Sequence, residues 1–314
     1  MNGNICLVLA GGGGKGAYHV GVWKALREYG VEINITAISG TSVGALNAAL
    51  FVQGDLELAE EVWMSINHDK ILSIDASRLS NLLGSISQPE LAKWTSKVSN
   101  FGVFSRSGFL ELIYKYLDLN IVSSSRISCY AACCEVPSFQ IKYFKLNQCD
   151  SEKITSILLA TSALPVIFDP IEIEDKTYVD GGIKNNIPIQ PLYNEGFRNI
   201  IVVHLGRDEI IDLTLFPEAN IIEILPQEDQ GGFFNGTLDF TPEGAKRRIE
   251  QGYEDTVRIL KPIYEMGLVQ KKYGMGLEEI YKNEMQFRSS RSKILLKRES
   301  LKNELDAIIE RRKD

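Results

Sequence analysis

Short apolar runs alternate with longer stretches in which apolar residues recur at helical spacing. Ile5 to Ala10 is a compact apolar run ended by four glycines, which predicts a buried parallel strand. Ala17 to Tyr29 carries Val20, Trp23 and Leu26 on one side and Gly30 just past its end, which predicts a helix. Ile35 to Ser39 predicts a second short strand, and Val43 to Val52 a second helix, small and apolar. Strand, helix, strand and helix at this spacing predict a parallel sheet with right-handed crossovers.

The pattern then changes. Residues 54–125 mix short amphipathic pieces with Ser, Asn and Gly and predict a helical insertion, a candidate lid, with Phe109 to Leu119 its clearest helix. Ile127 to Glu135 and Phe139 to Leu146 are rich in strand formers and flank a Pro-containing turn. Lys153 to Thr161 reads as a helix, and Asn199 to Leu205 and Asn220 to Leu225 as apolar strands. Thr241 to Leu260 opens on Thr-Pro-Glu, a helix start with Thr241 as cap and Pro242 in the first turn. The last fifty residues are Lys- and Arg-rich, without Gly after Gly276, and place Leu301, Leu305, Ile308 and Ile309 at helical spacing. No internal repeat or low-complexity linker stands out. The expected division is a domain over 1–262 and a charged helical tail over 263–314.

Composition narrows this picture little. The chain has 314 residues, 44% hydrophobic and 24% charged, which is ordinary for a globular protein. A net charge of −7 argues against a nucleic-acid partner. No basic segment precedes Ile5 to Ala10, and no run approaches the ~18 apolar residues of a membrane span. The expectation is a soluble or peripheral membrane protein of the cytoplasm; oligomeric state is left open. Five cysteines include Cys129, Cys133 and Cys134 in one apolar run. Cys129 and Cys133 have a metal-like spacing, but no second pair completes a site, so buried reduced thiols are expected.

Three glycine-containing motifs carry the chemistry. Gly40-Thr41-Ser42-Val43-Gly44 follows a predicted strand and opens a predicted helix, the context of a nucleophile elbow. Its flanking glycines let the turn tighten, and the helix start favours developing negative charge. The other reading is a turn whose serine merely caps the helix. Gly11-Gly12-Gly13-Gly14-Lys15-Gly16 lies between a strand and a helix and can offer several N–H groups to an anion. It is not a P-loop, because Leu9 stands where the first Gly belongs and Gly16 where Ser or Thr belongs. A dinucleotide fingerprint would need an acid where Ser39 stands. An oxyanion hole fits better beside a serine elbow on the next strand. Asp180-Gly181-Gly182 follows the short run Lys176 to Val179, and its carboxylate is either functional or an ordinary turn residue.

Serine needs a base. His68 neighbours Asp69 in the insertion, His19 lies on the first helix, and His204 ends the run IIVVHLG. A Ser42–His204–Asp180 triad would match the chain order Ser, Asp, His.

The runs LAGGGGKGAYHVGVWKAL, GTSVGALNAA and YVDGGIKNNIPI resemble, in order and spacing, the signature blocks of the patatin-like phospholipases of bacterial type. DFTPEGAKRRIEQGYED is similar to a later helix of bacterial members. The resemblance implies a three-layer α/β/α fold with a central, mostly parallel sheet, a helical insertion and a helical tail. It implies a Ser–Asp dyad: Ser42 as nucleophile, Asp180 as general base and acid, and an oxyanion hole at Gly12, Gly13 and Gly14. Gly11, Lys15, Gly16, Gly40, Gly44, Gly181 and Gly182 support these motifs, and His204 becomes structural. The implied activity is phospholipase A- or lysophospholipase-like hydrolysis of a lipid or phospholipid through an acyl-enzyme, without metal or cofactor. Alternatives are a Ser–His–Asp esterase using His204, nucleotide binding at the glycine loop, and a membrane-targeting effector silent until a partner or ligand engages it.

Lipid access has its own candidates. Trp94, Phe101 and Phe104 in the insertion could form an apolar cover, and Phe233 and Phe234 between glycines could meet a membrane interface; local packing is the other reading. The basic stretch Arg288 to Arg298 could attract anionic lipid, or be a solvated face or partner surface.

Overall fold

Eight strands form one sheet: β1 (Ile5–Leu9), β2 (Ile35–Thr41), β3 (Ser128–Val136), β4 (Gln140–Lys145), β5 (Ile171–Ile173), β6 (Lys176–Asp180), β7 (Asn199–Val203) and β8 (Asn220–Ile224). The computed structural model describes residues 4–66, 107–165 and 167–310. His68, Trp94, Phe101, Phe104 and the side chain of Phe234 lie outside the described residues.

The strand order is β5-β6-β3-β2-β1-β7-β8, with β4 on β3. The pairs β1–β2, β1–β7, β2–β3 and β7–β8 are parallel. β3–β4, β3–β6 and β5–β6 are antiparallel, so the sheet is mostly parallel in its centre and mixed at one side. β5 has three residues, too short for a hydrophobic period to announce it.

The described helices are α1 (Ala17–Glu28), α2 (Val43–Gln53), α3 (Leu56–Ser65), α4 (Ser107–Tyr116), α5 (Leu119–Ser124), α6 (Ser151–Thr161), α7 (Gln190–Asn194) and α8 (Pro242–Glu310). Asp55, Asp118 and Asp150 cap α3, α5 and α6 by accepting from first-turn amides, which fixes where each starts. Thr241 caps α8 as expected, its hydroxyl accepting from Gly244 N–H at 3.1 Å.

Helices cover both sheet faces, which is why the central strands read as unbroken apolar runs. Cys6 and Val8 on β1 pack with Ile189 and Leu192 around α7. Leu7 and Leu9 point to the opposite face, toward Val20, Trp23 and Leu50 of α1 and α2. α3 buries Leu56, Ala59, Val62 and Trp63, so the first turns of the expected insertion belong to the body of the fold. α1 meets the start of α8 where backbones touch. A Cβ on Gly21 would lie 1.9 Å from the Ile249 carbonyl oxygen, and one on Gly252 2.2 Å from that of Tyr18.

The chain divides into two units, Met1–Ile259 and Leu260–Asp314. The first holds the sheet and every candidate site residue. The second is helical, with its large apolar side chains exposed.

Candidate active site

The sheet register brings Ser42 and Asp180 together. β2 pairs with β3 as far as Thr41 opposite Ala132. There β2 leaves the sheet at the elbow, and β6 takes over the freed edge of β3, running antiparallel from Asp180 opposite Cys133. Ala132 and Cys133 are neighbours, so the ends of β2 and β6 abut. A parallel strand that stops and an antiparallel strand that arrives place a serine and a carboxylate in contact.

Ser42 has φ 55° and ψ −127°, an uncommon conformation for a non-glycine residue and one that costs about 1–3 kcal/mol. The turn is tight because a Cβ on Gly40 would lie 2.2 Å from the Gly44 carbonyl carbon, and one on Gly44 2.2 Å from the Leu9 carbonyl oxygen. Ser42 makes no side-chain capping bond to α2, which removes the reading of a simple helix cap. Its hydroxyl lies beside the Asp180 carboxylate, close enough to favour the ionised form. Its N–H donates to Thr161 Oγ1 at 2.9 Å, and Thr161 Oγ1 in turn donates to the Ala132 carbonyl at 2.5 Å. Thr161 thereby fills the gap that β2 opens in the ladder.

Asp180 is only 4% exposed. Burial pushes its carboxyl up from 3.8 to about 6, while hydrogen bonds from Ser42 and from Gly182 N–H, the latter 2.7 Å, oppose the rise. The result is a carboxylate that is ionised at neutral pH and basic enough to accept a proton.

The glycine loop is clamped at both ends. Gly11 N–H donates to Asn186 Oδ1 at 3.0 Å, and Asn186 Nδ2 donates back to the Gly11 carbonyl at 3.2 Å. At the far end, Asn47 Nδ2 donates to the Gly16 carbonyl at 2.9 Å and contacts His19 Nδ1 at 3.1 Å, while Trp63 Nε1 donates to Asn47 Oδ1. Among the described residues, no protein acceptor takes the N–H of Gly12, Gly13 or Gly14. Gly12, Gly13 and Lys15 line a cavity of about 440 Å³ together with Ser42, Asp180 and Gly182. Gly14 is buried, where a Cβ would lie 2.1 Å from the Asp239 carbonyl oxygen. Burial lowers the proton affinity of the Lys15 ammonium, with nearby Asp229 pulling it back.

The histidines stand apart. His204 Nε2 contacts Glu223 Oε2 of β8 at 2.8 Å, and His204 does not line the cavity. β7 is separated from β2 by β1, so its end lies about 10 Å from the elbow. The structure therefore does not bring His204 to Ser42, whereas Asp180 shares a cavity wall with it. Burial drives His19 down to about 3, so it is neutral at pH 7 and serves the Asn47 network. Cys129, Cys133 and Cys134 are buried free thiols in β3, and burial pushes Cys129 up to about 12. Phe233 stands 45% exposed at the cavity wall, in the short helical turn Phe233–Thr237.

Sequence reasoning did not single out Thr161, Asn186 or Asn47. Asn47 and Asn186 lie inside the quoted glycine-containing runs, where their amides are the only signal. Thr161 ends an ordinary helix and carries none.

A sequence model of the patatin-like phospholipases matches residues 7–193. Lysophospholipase NTE1 of Cryptococcus neoformans var. neoformans is 28% identical over 202 residues, covering 64% of this chain and 11% of that protein. Patatin-like phospholipase domain-containing protein 6 of Mus musculus is 26% identical over 220 residues, 70% of this chain and 15% of its own length. The chain thus spans only 11–15% of the length of these relatives. Among solved structures, VipD from Legionella pneumophila matches with a TM-score of 0.50 at 16% identity, over 83% of this chain and 67% of that one. That likeness is one of fold.

Proposed function

The chain belongs to the patatin-like phospholipase family, and from that premise we propose that it hydrolyses lipid acyl esters with Ser42 as nucleophile and Asp180 as its base. The observation that carries this reading is the placement of the elbow serine and a buried, proton-hungry carboxylate side by side at one cavity wall. Ser42 Oγ attacks the ester carbonyl while its proton passes to Asp180. The oxyanion is held by the free N–H groups of the glycine loop, donors typically worth ~2.7–4 kcal/mol each. Asp180 then protonates the departing alcohol or lysolipid. It next accepts a proton from water, which attacks the acyl-enzyme, and returns that proton to Ser42 Oγ as the bond to the fatty acid breaks.

A second, apolar cavity of about 60 Å³ adjoins the first and offers an acyl chain an apolar start. Its wall is almost wholly apolar, built from Leu50, Val62, Trp63, Leu112, Ile113 and Tyr116 among others. It shares Val43, Leu46, Phe109 and Phe240 with the cavity that holds Ser42. An ester bound at Ser42 would turn the first methylenes of its chain toward α2, α3 and α4, where burial contributes ~0.8 kcal/mol per methylene. Phospholipid and lysophospholipid fit this description, and the exposed Phe233 suits contact with a lipid surface.

The test is hydrolysis of a short p-nitrophenyl ester and of phospholipid vesicles, with lipid products read by mass spectrometry. Ser42→Ala and Asp180→Asn should each lose about 10³-fold or more in kcat, whereas His204→Ala should stay near wild type. Wild-type turnover in either of the first two variants overturns the reading.

A further inference from the structure

The helical unit Leu260–Asp314 carries an apolar seam. Met266, Tyr273, Ile280, Phe287, Ile294 and Leu301 recur at every seventh position, and each is more than half exposed. Ile308 continues the series in the sequence. The expectation of no internal repeat fails here, because the repeat becomes legible only once the helix is known to run unbroken. A straight helix drifts ~20° per seven residues, so this series would wander by about 100° between Met266 and Leu301. A strict seven-residue repeat stays on one line only when the helix supercoils around another helix. A membrane surface imposes no such period.

Polar residues in the seam identify the partner. Four residues past each apolar position stand Gln270, Leu277, Glu284, Arg291, Arg298 and Leu305. In a parallel, in-register pair, Glu284 would face Glu284, Arg291 would face Arg291 and Arg298 would face Arg298. Like charges across a helix seam are destabilising. Reversing one helix puts each of these residues opposite an apolar one instead. With Arg291 opposite Phe287 of a second copy, Glu284 lies opposite Ile294 and between Arg291 and Arg298 of that copy. The overlap spans about 43 residues, or roughly 60 Å of helix.

We propose that the C-terminal helix is a self-association element that pairs antiparallel with the same helix of a second copy of this chain. The inference does not depend on the chemistry of the first unit.

Light scattering and sedimentation equilibrium of the full chain at micromolar concentration should give a dimer. The double variant Ile280→Asn, Phe287→Asn should be monomeric while keeping whatever ester hydrolysis the wild type has, which controls for folding of the first unit. Glu284→Arg should weaken the dimer by about tenfold or more, and adding Arg291→Glu and Arg298→Glu should restore it. Spin labels in a Cys149→Ser background fix the direction. A label at Ser289→Cys should lie near its counterpart, while one at Asn303→Cys should lie about 40 Å from its own. A monomeric wild type, a dimer indifferent to the double variant, or short distances at both labels overturns the proposal. So does a monomer whose binding to anionic vesicles is abolished by Ile280→Asn, Phe287→Asn, which would assign the seam to lipid.

Discussion

Asp180 sits where the fold raises its affinity for a proton, and two measurable consequences follow. The first concerns rate. In the proposed mechanism only the ionised carboxylate can accept the Ser42 proton, so kcat/KM should rise with pH through an acid limb near 6, instead of near the ordinary 3.8. A limb near 4 in the pH–rate profile would contradict the burial argument. The second concerns stability. A carboxyl whose folded pKa is raised binds its proton more tightly folded than unfolded, so stability falls as pH climbs from about 4 to about 6 and stays lower above that. Asp180→Asn removes this charge and keeps an oxygen for Gly182 N–H. It should raise stability at pH 7.5 by an amount on the order of 2 kcal/mol, read as a higher thermal midpoint, and the gain should shrink toward pH 4. Asn186 acts differently, by holding Gly11 through both its amide atoms. Asn186→Ala should lower kcat by about tenfold to a hundredfold, because it releases Gly11 and with it the anchored end of the glycine loop.

At the scale of elements, the loop before α8 supports the glycine turn. The Asp239 carbonyl packs against Gly14, and the Asp239 carboxylate pairs with Arg248, which is 1% exposed, at 2.9 Å. Burial works against the ionised Asp239, but hydrogen bonds from Thr241 and the pairing with Arg248 outweigh it and hold the carboxyl below its usual range. Asp239→Ala leaves a buried guanidinium unpaired and should cost about 3–5 kcal/mol, read as a lower urea midpoint. Combining it with Arg248→Met should recover much of the loss. A second element-level prediction concerns the apolar cavity between α2, α3 and α4. Leu112→Trp should fill it, leaving short-chain ester turnover near wild type while long-chain turnover falls severalfold. Equal loss on both substrates would place the acyl chain elsewhere.

Across the whole molecule, the chemistry and the exposed helical seam lie in different units. Every residue assigned to the reaction falls within Met1–Ile259. A chain ending at Lys261 should therefore keep soluble-ester hydrolysis and lose self-association, a pair of outcomes that activity assays and sedimentation check together. The first unit closes on itself through the Gly21–Gly252 crossing of α1 and α8. Side chains at either position would push the helices apart, so Gly252→Val should lower the thermal midpoint without altering the pH limb.

The sequence by itself determined the parts whose signal is local. The elbow around Ser42, the loop Gly11 to Gly16 and the Asp180-Gly181-Gly182 turn each need a few adjacent residues of fixed type, although the groups that crowd most of their glycines, such as Asp239 against Gly14 and Leu9 against Gly44, come from elsewhere in the chain. The central strands were equally legible, because burial on both faces leaves unbroken apolar runs. Tertiary structure decided what depends on distance along the chain. Ser42 meets Thr161 across 119 positions, and Gly11 meets Asn186 across 175. Neither pairing leaves a periodic trace. The distance of His204 was also decided in three dimensions: it matched a triad in chain order, yet β1 stands between its strand and the elbow. The abutment of β2 and β6 on one edge of β3 is a matter of register, and that register turned a serine and an aspartate 138 positions apart into neighbours at one cavity wall.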